Sequence, residues 1–404
     1  MSHKRTFGLY VHVPFCLRKC PYCDFASLEV VSEGLASLEE AYARALLLDF
    51  TRSMRGDFGS CWRAAICTSI YFGGGTPSVL SLNFFERVLD AFSRELSFGD
   101  ELELTVEVNP GALFGASRGG GEVLRALRSL RALGVNRLSV GVQSFCDRKL
   151  KLLGRMHSAS VARDLLAQIL KADFSNFNID LIFGVRGDNQ ESWARDLQVA
   201  LSYTPPHISA YALTIAEGGP RELCLGDSQL CAFLYAQIPN SIGDLERYEI
   251  SNYALQGFRS LHNLGYWRRL DYLGLGPSAA TFLRREGKAR HGHRRCNLRD
   301  FRDYFDALMA GRNPLDYGEF LDEAQEELEF IFLSLRICDG LDCDSYRESF
   351  GRDFKLSYGE LLLELSRAAL LEEKGQRIVL SERGLLLSDE ICSRFSEELT
   401  VGSF

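Results

Sequence analysis

Hydrophobic and polar positions follow two alternating periods from residue 7 to residue 213. Between residues 7 and 13, Leu9, Val11 and Val13 alternate with Tyr10 and His12, the period of a strand with two unlike faces, and Pro14 ends it. A helical pattern over 38–54 follows, then a strand at 69–72 that stops at Gly73, Gly74, Gly75, Thr76 and Pro77. The unit then recurs. Helical patterns at 82–96, 122–133, 161–171 and 191–201 precede strand patterns at 102–108, 137–143, 177–183 and 207–213. This alternation predicts parallel strands with right-handed crossovers, in an open doubly wound sheet or a full or partial barrel.

The strand faces separate these options. Leu102, Leu104, Val106 and Val108 share one side of their strand and Glu101, Glu103, Thr105 and Glu107 the other. Likewise Leu138, Val140 and Val142 oppose Ser139, Gly141 and Gln143, and Ile179, Leu181 and Phe183 oppose Asn178 and Asp180. An open sheet covered by helices on both faces would be apolar on both. One polar face per strand favours a barrel with helices outside and a polar, occupied interior. The alternative is an antiparallel sheet wetted on one side, which the intervening helices disfavour.

After Asn297 the pattern changes. Gly311, Asn313 and Pro314 lie in a turn-rich stretch, which places a boundary at 310–320 and divides the chain into residues 1–310 and 320–404. The second part reads as helices at 323–337, 345–350, 357–371 and 381–395 with a short segment at 376–380, a small, mostly helical, winged-helix-like domain. Acidic residues outnumber basic ones there, which opposes a phosphate-binding face.

Composition narrows the function classes. Of 404 residues 46% are hydrophobic and 25% charged, so the chain is an ordinary globular protein rather than a disordered or repetitive one, and its length allows two or three domains, of which two are expected. A formal net charge of -8 weighs against nucleic acid as a partner. No stretch approaches the ~20 apolar residues of a membrane span, and the N-terminus carries no apolar signal region. Twelve cysteines, scattered apart from one tight group, suggest a reducing compartment, and the chain reads as cytoplasmic.

That group is Cys16, Cys20 and Cys23, spaced C-x-x-x-C-x-x-C in a loop directly after the first strand. Three thiolates on one loop can hold three irons of a cubane and leave the fourth open to a small molecule. A structural zinc site wants four closed ligands, and no fourth cysteine lies near; His12 would have to leave its strand direction to reach it.

The pattern resembles the signature of the radical S-adenosylmethionine (SAM) superfamily, and the resemblance covers nearly the whole chain. It implies a partial (β/α)6 barrel with a [4Fe-4S] cluster on Cys16, Cys20 and Cys23, whose open iron chelates SAM. Electron transfer can then split the sulfonium to a 5′-deoxyadenosyl radical. More closely, the chain is similar to the oxygen-independent coproporphyrinogen III dehydrogenase family and its sister group, the HemW heme chaperones. The resemblance carries cofactor contacts to Gly74, Gly75 and Thr76 in the Gly73–Pro77 loop, Glu107 in Glu107-Val-Asn109-Pro110, Gln143, Arg155 in Leu-Gly-Arg155-Met156-His157, and Asp180. Tyr10 and Tyr22 take positions that contact the cofactor or lie by the cluster in such proteins.

Within the family, the dehydrogenase branch extends its signature by one more cysteine, where this chain has Phe25. Phe25 and His262-Asn263-Leu-Gly-Tyr266-Trp267, which resembles an H-N-x-x-Y-W motif implicated in heme binding, point to the chaperone branch. The resemblance therefore implies heme as a ligand, His262 as its candidate axial ligand, heme-acceptor proteins and a low-potential electron donor as partners. The alternative is an enzyme that decarboxylates coproporphyrinogen III to protoporphyrinogen IX. A zinc-stabilised interaction protein is the third class. Two stretches depart from the family pattern, Val185-Arg186-Gly187-Asp188 and Gly276-Pro277-Ser278-Ala279-Ala280-Thr281. His291, His293 and Cys296 stand in or beside the basic stretch 288–295, read as a solvated loop in preference to a contact for heme propionates.

Overall fold

The computed structural model describes residues 5–113, 120–284 and 292–401. Six strands form its parallel core: β1 (Thr6–Val13), β2 (Ile66–Gly74), β3 (Ser97–Val108), β4 (Arg137–Gln143), β5 (Phe177–Phe183) and β6 (His207–Ala212). They pair side by side in chain order, each parallel to the next, with helices in the connections. The apolar faces inferred from the sequence turn outward onto those helices. Leu9, Val11, Leu104, Val106, Leu138, Val140, Ile179 and Leu181 are all buried in one continuous core with Leu46, Phe85, Leu127, Leu166 and Leu197. Local signals start the helices where they are needed: Ser81 caps Leu82–Glu95, Ser158 caps Ala159–Lys171, and Asn189 with Ser192 forms a reciprocal cap on Gln190–Leu201.

The polar faces turn inward, and register stacks them. Tyr10 lies beside Tyr71, Tyr71 beside Thr105, Glu107 beside Ser139, Ser139 beside Asn178, and Asp180 beside Ser209. The six strands do not close on one another. Asp271–Leu275 adds to β1 in parallel and is followed outward by the antiparallel strands Ala280–Leu283, His293–Asn297 and Leu315–Phe320. On the other side Asn252–Ala254 and Glu246–Arg247 extend the sheet beyond β6. The architecture is thus a partial α/β barrel.

One expectation is corrected here. The stretch read as a solvated loop contains the strand His293–Asn297, which is half-buried and hydrogen-bonded on both edges. His293 packs between the rings of Phe58 and Phe320 at tilted angles, so pairing and aromatic packing override its basic character. His291 lies outside the described residues.

The C-terminal part carries helices Glu323–Arg336, Cys343–Phe350, Gly359–Arg367 and Ser388–Val401 around a three-stranded sheet of Leu341–Asp342, Arg377–Leu380 and Leu371–Lys374. The single helical pattern read over 357–371 ends at Arg367; Ala369 takes φ 55°, and Leu371 opens a strand. Among the described residues no helix is long and apolar enough to cross a membrane.

Candidate functional site

The cysteine loop is pinned at both ends. Phe15–Cys16 pairs in parallel with Leu28–Glu29, and Val30 N–H reaches the Cys16 carbonyl at 2.8 Å. Its far side is tied to the barrel by His12, whose Nε2 meets the Ala26 carbonyl at 2.7 Å. A carbonyl only accepts, so Nε2 carries the proton and Nδ1 accepts from the Tyr10 hydroxyl at 3.0 Å. Burial holds His12 below the usual imidazole range, which keeps it neutral in this role.

The Gly73–Pro77 turn runs beneath this loop. A Cβ on Gly74, which has φ 106°, would lie 2.6 Å from the His12 ring, and one on Gly75 would lie 2.7 Å from the Phe15 carbonyl oxygen. Only glycine permits the approach. Gly75 and Thr76 donate backbone N–H groups to the Val13 and Phe15 carbonyls at 2.7 and 2.8 Å, so turn and cysteine loop are one rigid piece.

A run of side chains links two of the cysteines. Thr76 Oγ1 donates to Cys16 Sγ at 3.5 Å and accepts from Asn109 Nδ2 at 2.8 Å. Asn109 Oδ1 accepts from Arg155 Nη2 at 2.6 Å, and Arg155 Nη1 donates to Cys20 Sγ at 3.8 Å. Arg155 is also held by the Gly141 carbonyl at 2.7 Å. Asn109 was quoted in the sequence only as a neighbour of Glu107; its signal was its place one step past the end of a strand whose polar face looks inward.

Two acids face the interior. Glu107 accepts from the Tyr71 hydroxyl at 2.9 Å and from Gly74 N–H at 3.2 Å; burial pushes its carboxyl up to about 8, against the pull of those donors. Asp180 accepts from Asn178 at 2.7 Å and Ser139 at 3.2 Å, and burial raises it as well. Gln143, at the end of β4, holds φ 68°, a left-handed conformation that costs a non-glycine residue about 1–2 kcal/mol. Such strain concentrates at functional sites.

These groups surround one cavity of about 690 Å³. Cys16, Cys20, Cys23, Tyr22, Gly74, Gly75, Thr76, Glu107, Gln143, Arg155 and Asp180 all line it. Two predicted residues do not. Tyr10 lies behind the wall, within ring-stacking distance of Tyr71 and His262. His262 is 3% exposed and packs under β1 and β2, bonded through Nδ1 to Ser69 Oγ at 2.9 Å and through Nε2 to Tyr266 OH at 2.9 Å. Burial lowers its imidazole to about 3. In this arrangement His262 has no free nitrogen for iron. Its helix, Leu261–Trp267, is capped by Glu103 of β3, which accepts from Ser260 Oγ and from the backbone N–H groups of Leu261 and His262 at 3.3, 3.0 and 3.1 Å.

The donor set suits an iron–sulfur cluster: three free thiols on one cavity wall, one facing a hydroxyl donor and one a guanidinium. Burial raises the Cys16 and Cys23 thiols, so their ionisation awaits a bound cation. Among the described residues no three His, Cys, Asp or Glu side chains are gathered for a single metal ion.

The Radical SAM superfamily profile matches residues 10–200 and the HemN C-terminal domain profile residues 321–387. The chain is 31% identical over 395 residues to the heme chaperone HemW of Lactococcus lactis, covering 96% of each. It is 35% identical over 296 residues to that of Escherichia coli, covering 70% of this chain and 74% of the relative. Among solved structures, the coproporphyrinogen III oxidase HemN of Escherichia coli superposes with a TM-score of 0.77 at 22% identity, over 97% of this chain and 90% of that one, a likeness of fold.

Proposed function

Because the chain belongs to the radical SAM superfamily and, within it, to the family of the HemW heme chaperones, we propose that it binds a [4Fe-4S] cluster and SAM and delivers heme to acceptor proteins. The observation that carries the cofactor half is the convergence of the three cysteines, Gly74–Thr76, Glu107, Gln143, Arg155 and Asp180 on one cavity. Cys16, Cys20 and Cys23 would hold the cluster. When bound, cluster and SAM supply a low-potential electron and a cleavable sulfonium.

The chain's own residues have distinct tasks in this reading. Arg155, beside Cys20, balances thiolate charge and orients the carboxylate end of the cofactor. Gly74 and Gly75 would let backbone groups approach it, and Glu107 and Asp180 would accept from its cationic and hydroxyl groups. Phe25, 60% exposed at the cavity mouth, stands where a further cysteine would mark the dehydrogenase branch. His262 would be the residue to hold heme iron, which would require it to give up Ser69 or Tyr266 and to emerge from beneath β1 and β2. A low-potential electron donor completes the partner set. Twelve free thiols suit the reducing cytoplasm in which we place the chain. We divide it into residues 1–310 and 320–404, the second part beginning its helices at the Asp322 cap.

The test is an anaerobic turnover assay on cluster-reconstituted protein with SAM, a strong reductant and coproporphyrinogen III, with heme titration alongside. Heme binding without porphyrin product is the expected result. Protoporphyrin formation that Cys20→Ala abolishes would make the protein a dehydrogenase.

A further inference from the structure

The floor of the barrel holds a cation that nothing in the cofactor reading uses. Arg137, the first residue of β4, is 2% exposed yet lines the same cavity as the cysteines. Its Nε is buried without a hydrogen-bond partner, and the carboxylate oxygen it faces, Glu103 Oε2, is 3.9 Å away, beyond hydrogen-bond distance.

The nearby acids take their hydrogen bonds from other groups. Glu103 accepts from Ser260, Leu261 and His262 at the start of the helix below, and its charge pairs with Arg137 only at 3.9 Å, without a hydrogen bond. Glu107 is held by Tyr71 and Gly74, and Asp180 by Asn178 and Ser139. A buried guanidinium without good acceptors is costly, and proteins keep one where an anion completes it. Its fork of donors matches two oxygens in a plane. Ser139, Asn178, Ser209 and Tyr71 add neutral hydroxyl and amide groups on the same wall. The cysteines, Gly75 and Thr76 lie past the opposite ends of the strands, so a ligand part at Arg137 is separated from them by the depth of the barrel, with Glu107 and Asp180 one step above it beside Ser139.

We propose that Arg137 anchors a carboxylate-binding subsite on the barrel floor, beneath the cofactor position. The carboxylate comes either from a free short-chain acid or from a propionate arm of a tetrapyrrole, and only the second source rests on the heme reading.

The experiment uses the full-length, cluster-loaded protein. Sodium propionate is titrated calorimetrically at constant ionic strength against the wild type, Arg137→Met and Arg137→Lys. In parallel, heme and its dimethyl ester are titrated by absorbance. Saturable propionate binding that weakens at least tenfold in Arg137→Met, and less in Arg137→Lys, is expected. A tenfold preference for heme over its ester, reduced below twofold in Arg137→Met, assigns the carboxylate to the tetrapyrrole. Propionate binding without that preference keeps the subsite and assigns it to a free acid. If the wild type shows neither saturable propionate binding nor a preference for heme over its ester, the floor holds only water and the proposal falls; no variant enters this arm. Propionate binding that both substitutions leave unchanged overturns it equally. Failure of heme to bind at all, with propionate bound, tells against the chaperone reading alone.

Discussion

Asn109 and Arg155 are joined by a 2.6 Å hydrogen bond, and through it the two halves of the cysteine loop feel each other. The amide accepts from the guanidinium that faces Cys20 and donates to the hydroxyl that faces Cys16. Groups one step behind metal ligands commonly set affinity by ~10–100-fold. Asn109→Ala should therefore speed loss of iron to a chelator within that range while the far-ultraviolet spectrum stays native. Equal iron retention in wild type and variant would show that the bridge is incidental.

Cys16→Ala, Cys20→Ala and Cys23→Ala should each abolish the visible absorption of the reconstituted cluster and most bound iron and sulfide. Cys67 is fully buried in the core, its thiol pushed up to about 12 by burial, and offers a control. Cys67→Ala should retain the cluster and lose only about 1 kcal/mol of stability.

Glu107 sets a pH dependence. Its carboxyl titrates near 8 in the folded, ligand-free chain against 4.5 for the unperturbed group. The stabilisation from its retained proton is complete below about 4.5 and is lost as pH rises to about 8. Glu107→Gln should flatten the fall in urea stability across that window. A cation such as SAM favours the ionised form, so its affinity should rise with pH up to about 8 with release of up to one proton. Calorimetry in buffers of different ionisation enthalpy reads that proton, and a signal independent of buffer would refute the assignment.

Lys149 is buried between Asp188 at 2.9 Å and Asp196 at 3.5 Å. Removing one partner of a buried ion pair typically costs 3–5 kcal/mol. Lys149→Met should lose about that much in urea denaturation, and adding Asp188→Asn should recover part of it.

His262→Ala should cost about 2–4 kcal/mol, since it opens a void and strands the Ser69 and Tyr266 hydroxyls. His262→Asn keeps a donor and an acceptor and should fold more stably. If His262 ligates heme, that variant shifts the Soret band, and heme association in the wild type levels off with heme concentration because a hydrogen bond must open first. An unshifted band leaves His262 as a floor strut.

The six strand–helix units were legible because each apolar face repeats at the period of its element over several residues. The polar interior was legible for the same reason, and those faces drew attention to Glu107, Gln143 and Asp180. The ribbon beyond β1 was not. Its strands are short, and Leu315–Phe320 is mostly exposed, so no buried face imprints a period on the residues. The buried setting of His262 was not legible from local context because the groups that hold it are remote in the chain: Ser69 is 193 positions away and Glu103 is 159. Arg137 drew no notice at a strand's first position, because its burial arises only when neighbouring strands and the helix at 261–267 pack around it. The Val185-Arg186-Gly187-Asp188 departure becomes intelligible only with its partner, since Asp188 takes both Lys149 and Val185 N–H, the latter at 3.1 Å.

The clasp of Phe15–Cys16 on Leu28–Glu29, with His12 gripping Ala26, also governs the order of events in the life of the chain. A loop tied at its base and its flank has already lost most of its conformational freedom before any iron arrives. The shape of the loop rests on its own hydrogen bonds, unlike that of a zinc finger, which is shapeless until loaded. Cys16, Cys20 and Cys23 are thus spaced by the chain's own bonds, and whatever binds them meets a wall that is already shaped.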